Sequence, residues 1–131
     1  MSDYGPITWI LLHTIAAKIK SEVFTERRSE ILEFVKEVYL GLHCAGCRSE
    51  SFDFLSKYRD INNAEEFKRY LFDFHTHVNI KLSKTYFGIE QMVVYEKANL
   101  KPIAEKYMEK TSCPSNSNIR LFLTTHDDWF N

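Results

Sequence analysis

Apolar residues recur every three or four positions over most of this chain, the period of helices buried along one side. In the first such stretch Trp9, Leu12, His13 and Ala16 share a face of a helix ending near Lys20. Pro6 stands in its first turn, where a missing N–H does no harm. A second helix is expected from about Thr25 to Leu42, with Ile31, Val35, Val38 and Leu42 as its buried stripe. Gly41 and His43 weaken its end, so a third helix can begin at or near Cys44. It carries Phe52, Leu55 and Tyr58 before Asp60-Ile61-Asn62-Asn63 breaks it. Asn63-Ala64-Glu65-Glu66 has the form of a capping box, with Asn63 as cap and Glu66 three residues on. The helix it opens shows Phe67, Leu71, Phe74, Val78 and Leu82 at spacings of four, three, four and four.

A shorter fifth helix is expected from about Ile89 to Asn99, and Lys101-Pro102 can start another turn or two. Thr111 to Asn118 is a loop by composition. The tail from Ile119 to Asn131 stays open between a strand, a short helix and a packed extension. There is no internal repeat and no alternation of strands with helices. The expected fold is all-α, a four-helix bundle with a short fifth helix. Residues 1–110 form the expected domain and 111–131 a C-terminal loop and tail.

Composition narrows the function. An apolar fraction of 44% and a charged fraction of 27% are those of an ordinary globular domain, and 131 residues suffice for one core. A formal charge of −1 provides no footprint for nucleic acid. No apolar run approaches the roughly 20 residues that span a bilayer. The start, Met1-Ser2-Asp3-Tyr4-Gly5-Pro6, lacks the organisation of a signal peptide. A soluble chain with no membrane contact is the expectation. Three cysteines are too few for a disulfide framework; Cys44 and Cys47 form a pair and Cys113 stands alone.

Cys44-Ala45-Gly46-Cys47 is the main chemical feature. In a helix's first turn the two sulfurs can close a small-ring disulfide, and the helix N-terminus favours a thiolate. The same spacing serves half of a zinc site, with His75 and either His77 or Cys113 as conceivable further ligands. Their spacing matches no usual finger, and His75 and His77 point to different sides of a helix. A thioredoxin-like site would need strands that the chain lacks. Trp9 and His13 lie one helical turn apart, as do His75 and Asn79, so each pair sets a ring beside a hydrogen-bonding group. Core histidines explain one such pair; two beside a redox-type cysteine pair suggest a pocket for a flat aromatic ligand. Lys81 and Lys84 could meet a phosphate or simply end a solvated helix.

In this order these residues resemble the Erv/ALR family of FAD-linked sulfhydryl oxidases. The first motif reads Gly5-Pro6-Ile7-Thr8-Trp9-Ile10-Leu11-Leu12-His13, the second Cys44-Ala45-Gly46-Cys47. The third reads His75-Thr76-His77-Val78-Asn79-Ile80-Lys81-Leu82-Ser83-Lys84. The resemblance spans about residues 4 to 96. It departs from the family pattern at Thr76, where Asn is usual, and at Tyr70, where Trp is frequent. The cysteines of an additional structural disulfide and of a terminal shuttle pair are absent, which is most like the compact members encoded by large DNA viruses.

The resemblance implies FAD held within the bundle, with Gly5, Trp9, His13, His75, Val78, Asn79, Leu82, Lys84 and Tyr95 as its contacts. It makes Cys44 and Cys47 the catalytic pair, Cys44 meeting the substrate and Cys47 the flavin, and it implies no metal. Electrons would pass from thiols through the pair to FAD and then to O2, giving H2O2 and a disulfide in the substrate. The implied partners are a dithiol substrate protein or a thioredoxin-like carrier, and a second copy in a homodimer, whose surface is the first two helices in most of the family and can be a different one in a viral member. The implied place, for a viral member, is the host cytoplasm and the virion. A zinc-stabilised helical interaction module using Cys44 and Cys47 is the competing reading.

Overall fold

A computed structural model describes residues 4–39, 61–81, 94–110 and 116–131. The expected third helix, the Cys44–Cys47 pair, Leu82, Lys84, residues 89–93 and Cys113 lie outside the described residues. Among the described residues the elements are α1 (Tyr4–Lys18), α2 (Ser21–Glu26), α3 (Arg28–Tyr39), α4 (Ala64–Lys81), α5 (Leu100–Lys110) and α6 (Asn116–Thr125), with short 3-10 turns at 94–96 and Asp127–Trp129. The one pairing of extended backbone among them is an isolated antiparallel bridge between Ile19 and Phe130. The all-helical expectation therefore holds for these segments.

The helix α1 is the centre of the packing. It touches α3, α4 and α5, and α5 most extensively. A helix surrounded in this way needs more than one apolar face. Alongside the expected Trp9, Leu12 and Ala16, it also buries Ile7, Leu11 and Ile15, and even Thr8 and Thr14. The Thr14 hydroxyl is satisfied within the helix, donating to the Ile10 carbonyl at 2.7 Å. Reading one buried stripe from the sequence thus understated how central this helix is.

The expected single helix from Thr25 to Leu42 is, over its described residues 25–39, divided between two helices. Arg27, at φ −118° and ψ 27°, leaves the helical region between α2 and α3. The bend separates two packing tasks. Phe24 of α2 stacks on Phe67 of α4 with ring centroids 4.9 Å apart, while α3 buries Ile31, Phe34, Val35 and Val38. The Arg28 guanidinium donates to the Ile61 carbonyl at 3.0 Å and ties the start of α3 to the approach to α4.

The start of α4 is capped as its sequence implies. The Glu66 N–H donates to Asn63 Oδ1 at 2.9 Å, and Glu66 Oε1 accepts from the Asn62 N–H at 2.8 Å. Its buried stripe is Phe67, Tyr70, Leu71, Phe74 and Val78. Three expectations fail near the C-terminus. Residues 94–99 form one 3-10 turn and a bend rather than the end of a fifth helix, and α5 follows with eleven residues rather than a turn or two. Pro102 falls in the first turn of α5, where its missing N–H has no partner to lose. Residues 116–118, expected in a loop, already belong to α6.

The tail resolves as both a helix and a packed extension. Ile119 of α6 is fully buried, and Phe122 stacks on Phe34 at 4.0 Å and 9°. Beyond it the Lys20 N–H donates to the Trp129 carbonyl at 2.9 Å, and the Asn131 N–H to the Lys18 carbonyl at 2.7 Å. The C-terminus is thereby clipped to the end of α1. No helix among the described residues is long and apolar enough to cross a membrane.

Candidate functional site

Four rings from three separate stretches of chain meet between α1, α4 and the 94–96 turn. Trp9 and His13 come from successive turns of α1, His75 from α4 and Tyr95 from the short turn. The Trp9 and His75 rings lie 4.1 Å apart and within 8° of parallel. Phe74, the residue before His75, meets Trp9 edge-on at 5.4 Å. Tyr95 leans on His13 at 5.2 Å. Its turn is held to the end of α1 by Lys18, whose Nζ donates to the Glu96 carbonyl at 3.1 Å. The helical spacing places Phe74 in the core stripe of its helix and does not single out Lys18, because both contacts depend on how the helices pack.

His13 Nε2 and His75 Nδ1 are 2.9 Å apart, a hydrogen bond between residues 62 positions apart in sequence. The two are not equivalent. His13 has no exposed surface, whereas His75 is half-buried. Burial, and then the neighbouring His75, push His13 from 6.5 down to about 3, so it is neutral at ordinary pH. Burial likewise raises the Tyr95 hydroxyl, which stays protonated. Val78 and Asn79 are buried one turn or less beyond His75, and Gly5 lies in the first turn of α1.

This set fits a flat aromatic ligand in one way and not in another. At 4.1 Å, Trp9 and His75 are already in contact, so no second ring lies between them. The pair forms a single platform. It is reached through half-buried His75, and Asn79 one helical turn along supplies a side-chain amide that can orient a ligand. Neutral His13, Tyr95 and Asn79 bring polarity without charge, which suits a ring system with hydrogen-bonding edges.

The same geometry bears on metal binding. The His75 Nδ1 is taken by His13, and His77 is exposed on another side of α4. Among the described residues no group of three His, Cys, Asp or Glu side chains could hold a metal ion. A surface hollow between α5, α6 and the end of α1 does not include the aromatic cluster, and its rim mixes Lys18, Lys101 and Arg120 with Glu105 and Asp127.

Comparison with known proteins locates this cluster within a family pattern. The Erv1/Alr family model matches residues 6–98, which take in Trp9, His13, Cys44, Cys47, His75 and Tyr95. FAD-linked sulfhydryl oxidases from two isolates of African swine fever virus are each 30% identical over 105 residues, covering 79% of this chain and 88% of theirs. A protein of Invertebrate iridescent virus 3, provisionally named as the same kind of oxidase, is 27% identical over 84 residues, or 62% of this chain and 57% of its own. No solved structure matches the chain.

Proposed function

The chain belongs to the Erv1/Alr family, and from that membership we propose that it is a FAD-linked sulfhydryl oxidase, forming disulfide bonds in substrate proteins through Cys44 and Cys47. One structural observation carries the reading furthest. The histidines of the first and third family motifs, 62 residues apart, form a hydrogen bond beside a parallel Trp9–His75 pair. A fold that only needed a helical core would have no reason to bring two histidines and a tryptophan into this arrangement.

The residues divide the work. A substrate thiolate attacks Cys44 of the oxidised pair, forming a mixed disulfide and releasing Cys47 as a thiolate. A second substrate thiolate displaces Cys44, so the substrate leaves with a disulfide and the pair is left as a dithiol. Bound FAD supplies a two-electron acceptor for that dithiol and the means of reducing O2 to H2O2. Holding the flavin nucleotide falls to the Trp9–His75 platform together with His13, with Asn79 and Tyr95 at its edges and Val78 lining it. Gly5 and Leu82 complete the proposed contacts, and Lys84 is the cation proposed for its phosphates.

The substrates of such an oxidase are dithiol proteins, or a thioredoxin-like carrier acting for them. A homodimer, and action in the host cytoplasm and the virion, are proposed in keeping with the viral relatives. The test is oxygen uptake with a small dithiol as electron donor. Wild-type protein should consume O2 and form H2O2 in step with thiol loss. Cys44→Ser and Cys47→Ser should each fall to background while remaining yellow with bound flavin. Undiminished turnover in either variant would refute the assignment of that sulfur.

A further inference from the structure

We propose that Lys18 is a positioning residue of the flavin site, acting on the cofactor through Tyr95 by tying the 94–96 turn to the end of α1. The inference rests on the FAD reading above and on Tyr95 as one of the flavin's contacts. The turn has few means of holding itself in place. Val94, Glu96 and Lys97, on either side of Tyr95, are exposed, Val94 by 60%. Its own backbone bonds, from the Lys97 N–H to the Val94 carbonyl and from the Ala98 N–H to the Tyr95 carbonyl, are both 3.3 Å long. Well-formed bonds of this kind measure roughly 2.9–3.0 Å, and the geometry of a 3-10 turn is poorer to begin with.

Two contacts with one helix make up for that weakness. Tyr95 lays its ring on His13, with centroids 5.2 Å apart and planes at 31°. The next residue, Glu96, offers its carbonyl to the Lys18 ammonium at 3.1 Å, across 78 positions of sequence. Lys18 follows His13 on α1 by a rise of about 7.5 Å, so consecutive residues of the turn grip the same helix at two levels. The ring contact alone leaves the turn free to rock about it; the second point removes that freedom. Lys18 is half-buried and lines the hollow where α1, the residues after the turn and the tail converge. A cation in the last turn of a helix also complements the helix dipole. That role asks only for charge near the helix end, not for an ammonium aimed at a carbonyl of another segment.

The backbone of Lys18 is itself anchored. The last carbonyls of a helix have no partners within it. Here the Lys18 carbonyl accepts from the Asn131 N–H at 2.7 Å, and the Lys20 N–H donates to the Trp129 carbonyl at 2.9 Å. Ile19 between them is buried and bridges to Phe130. Lys18 therefore joins three segments: the helix carrying Trp9 and His13, the turn carrying Tyr95, and the tail. The tail lies beyond residues 6–98 of the family match, so this chain supports its Tyr95 turn partly with residues outside the family pattern.

The test measures FAD affinity by flavin fluorescence titration of the full chain. It compares wild type, Lys18→Met, Lys18→Arg, Tyr95→Ala and the Lys18→Met/Tyr95→Ala double variant. Lys18→Met keeps most of the stem and removes the ammonium, and affinity should fall about fivefold, the scale of one partly exposed charged hydrogen bond. Lys18→Arg retains a donor that reaches the carbonyl and should recover most of the loss. In the Tyr95→Ala background Lys18→Met should change affinity by less than about twofold, because the residue it acts through is gone. In cofactor-free protein, proton–proton NMR contacts between the Tyr95 and His13 rings should be present in wild type and Lys18→Arg and lost in Lys18→Met. A helix-end charge alone would lower the thermal midpoint of Lys18→Met and leave affinity and ring contact unchanged; that result would overturn the proposal. So would a penalty that persists in full without Tyr95, or an Arg variant no better than Met. If wild type took up no FAD, the oxidase reading would fail, and the ring contact in Lys18→Met would still decide separately whether Lys18 holds the turn.

Discussion

At the scale of single residues, His75 joins the most separate demands: it stacks on Trp9, bonds to His13 and offers its remaining surface to a ligand. Removing it with His75→Ala takes away a ring pair worth ~0.5–1.5 kcal/mol and opens a void beside Trp9 and Phe74. FAD affinity should fall at least about tenfold in a titration of flavin fluorescence against protein. Equal affinity would mean that the platform is not the flavin site. His13 makes a second, pH-dependent prediction. Unfolded, it binds a proton below about 6.5; folded, only near 3. The unfolded chain therefore holds more protons through that window, and stability falls as pH drops from about 6.5 toward 3, at up to ~1.4 kcal/mol per pH unit, with no contribution above it. Thermal midpoints of His13→Gln should decline less steeply than wild type between about pH 6 and pH 4. Parallel declines would show that His13 is not the buried neutral group.

The helices were the part of this protein most legible from sequence. The α4 boundary could be read from Asn63 and Glu66, because a capping box is local chemistry and needs no tertiary information. Asn63→Ala should lower stability by ~1 kcal/mol in denaturant unfolding with the slope unchanged. A loss below a few tenths would show that the cap contributes little. The break at Arg27 was invisible for the opposite reason. Nothing in Thr25-Glu26-Arg27-Arg28 disfavours a continuous helix, and the bend arises where Phe24 and the Ile31 stripe meet different partners. The site shows the same divide. Trp9 with His13, and His75 with Asn79, could be picked out because each pair lies within one helix. That the two histidines bond to each other, or that Lys18 holds the turn bearing Tyr95, depends on how the helices pack.

Across the whole molecule, the family match ends at residue 98, while α5, α6 and the tail add Ala104, Tyr107 and Ile119 to the core. These segments lie against α1 and α3, the first of which carries Trp9 and His13. Deleting residues 116–131 would remove the buried Ile119, the Phe34–Phe122 stack and the clip at Lys18 and Lys20. Losses of that kind amount to several kcal/mol, so the thermal midpoint should drop by roughly 10 °C or more. A shift under a few degrees would make the tail an accessory. The central claim, that this fold holds a flavin reduced by thiols, is tested most directly by the visible absorption spectrum of the purified protein. The account predicts flavin bands that bleach when a dithiol is added without air and return when air is admitted. A colourless protein that contains stoichiometric zinc and takes up no added FAD would contradict it.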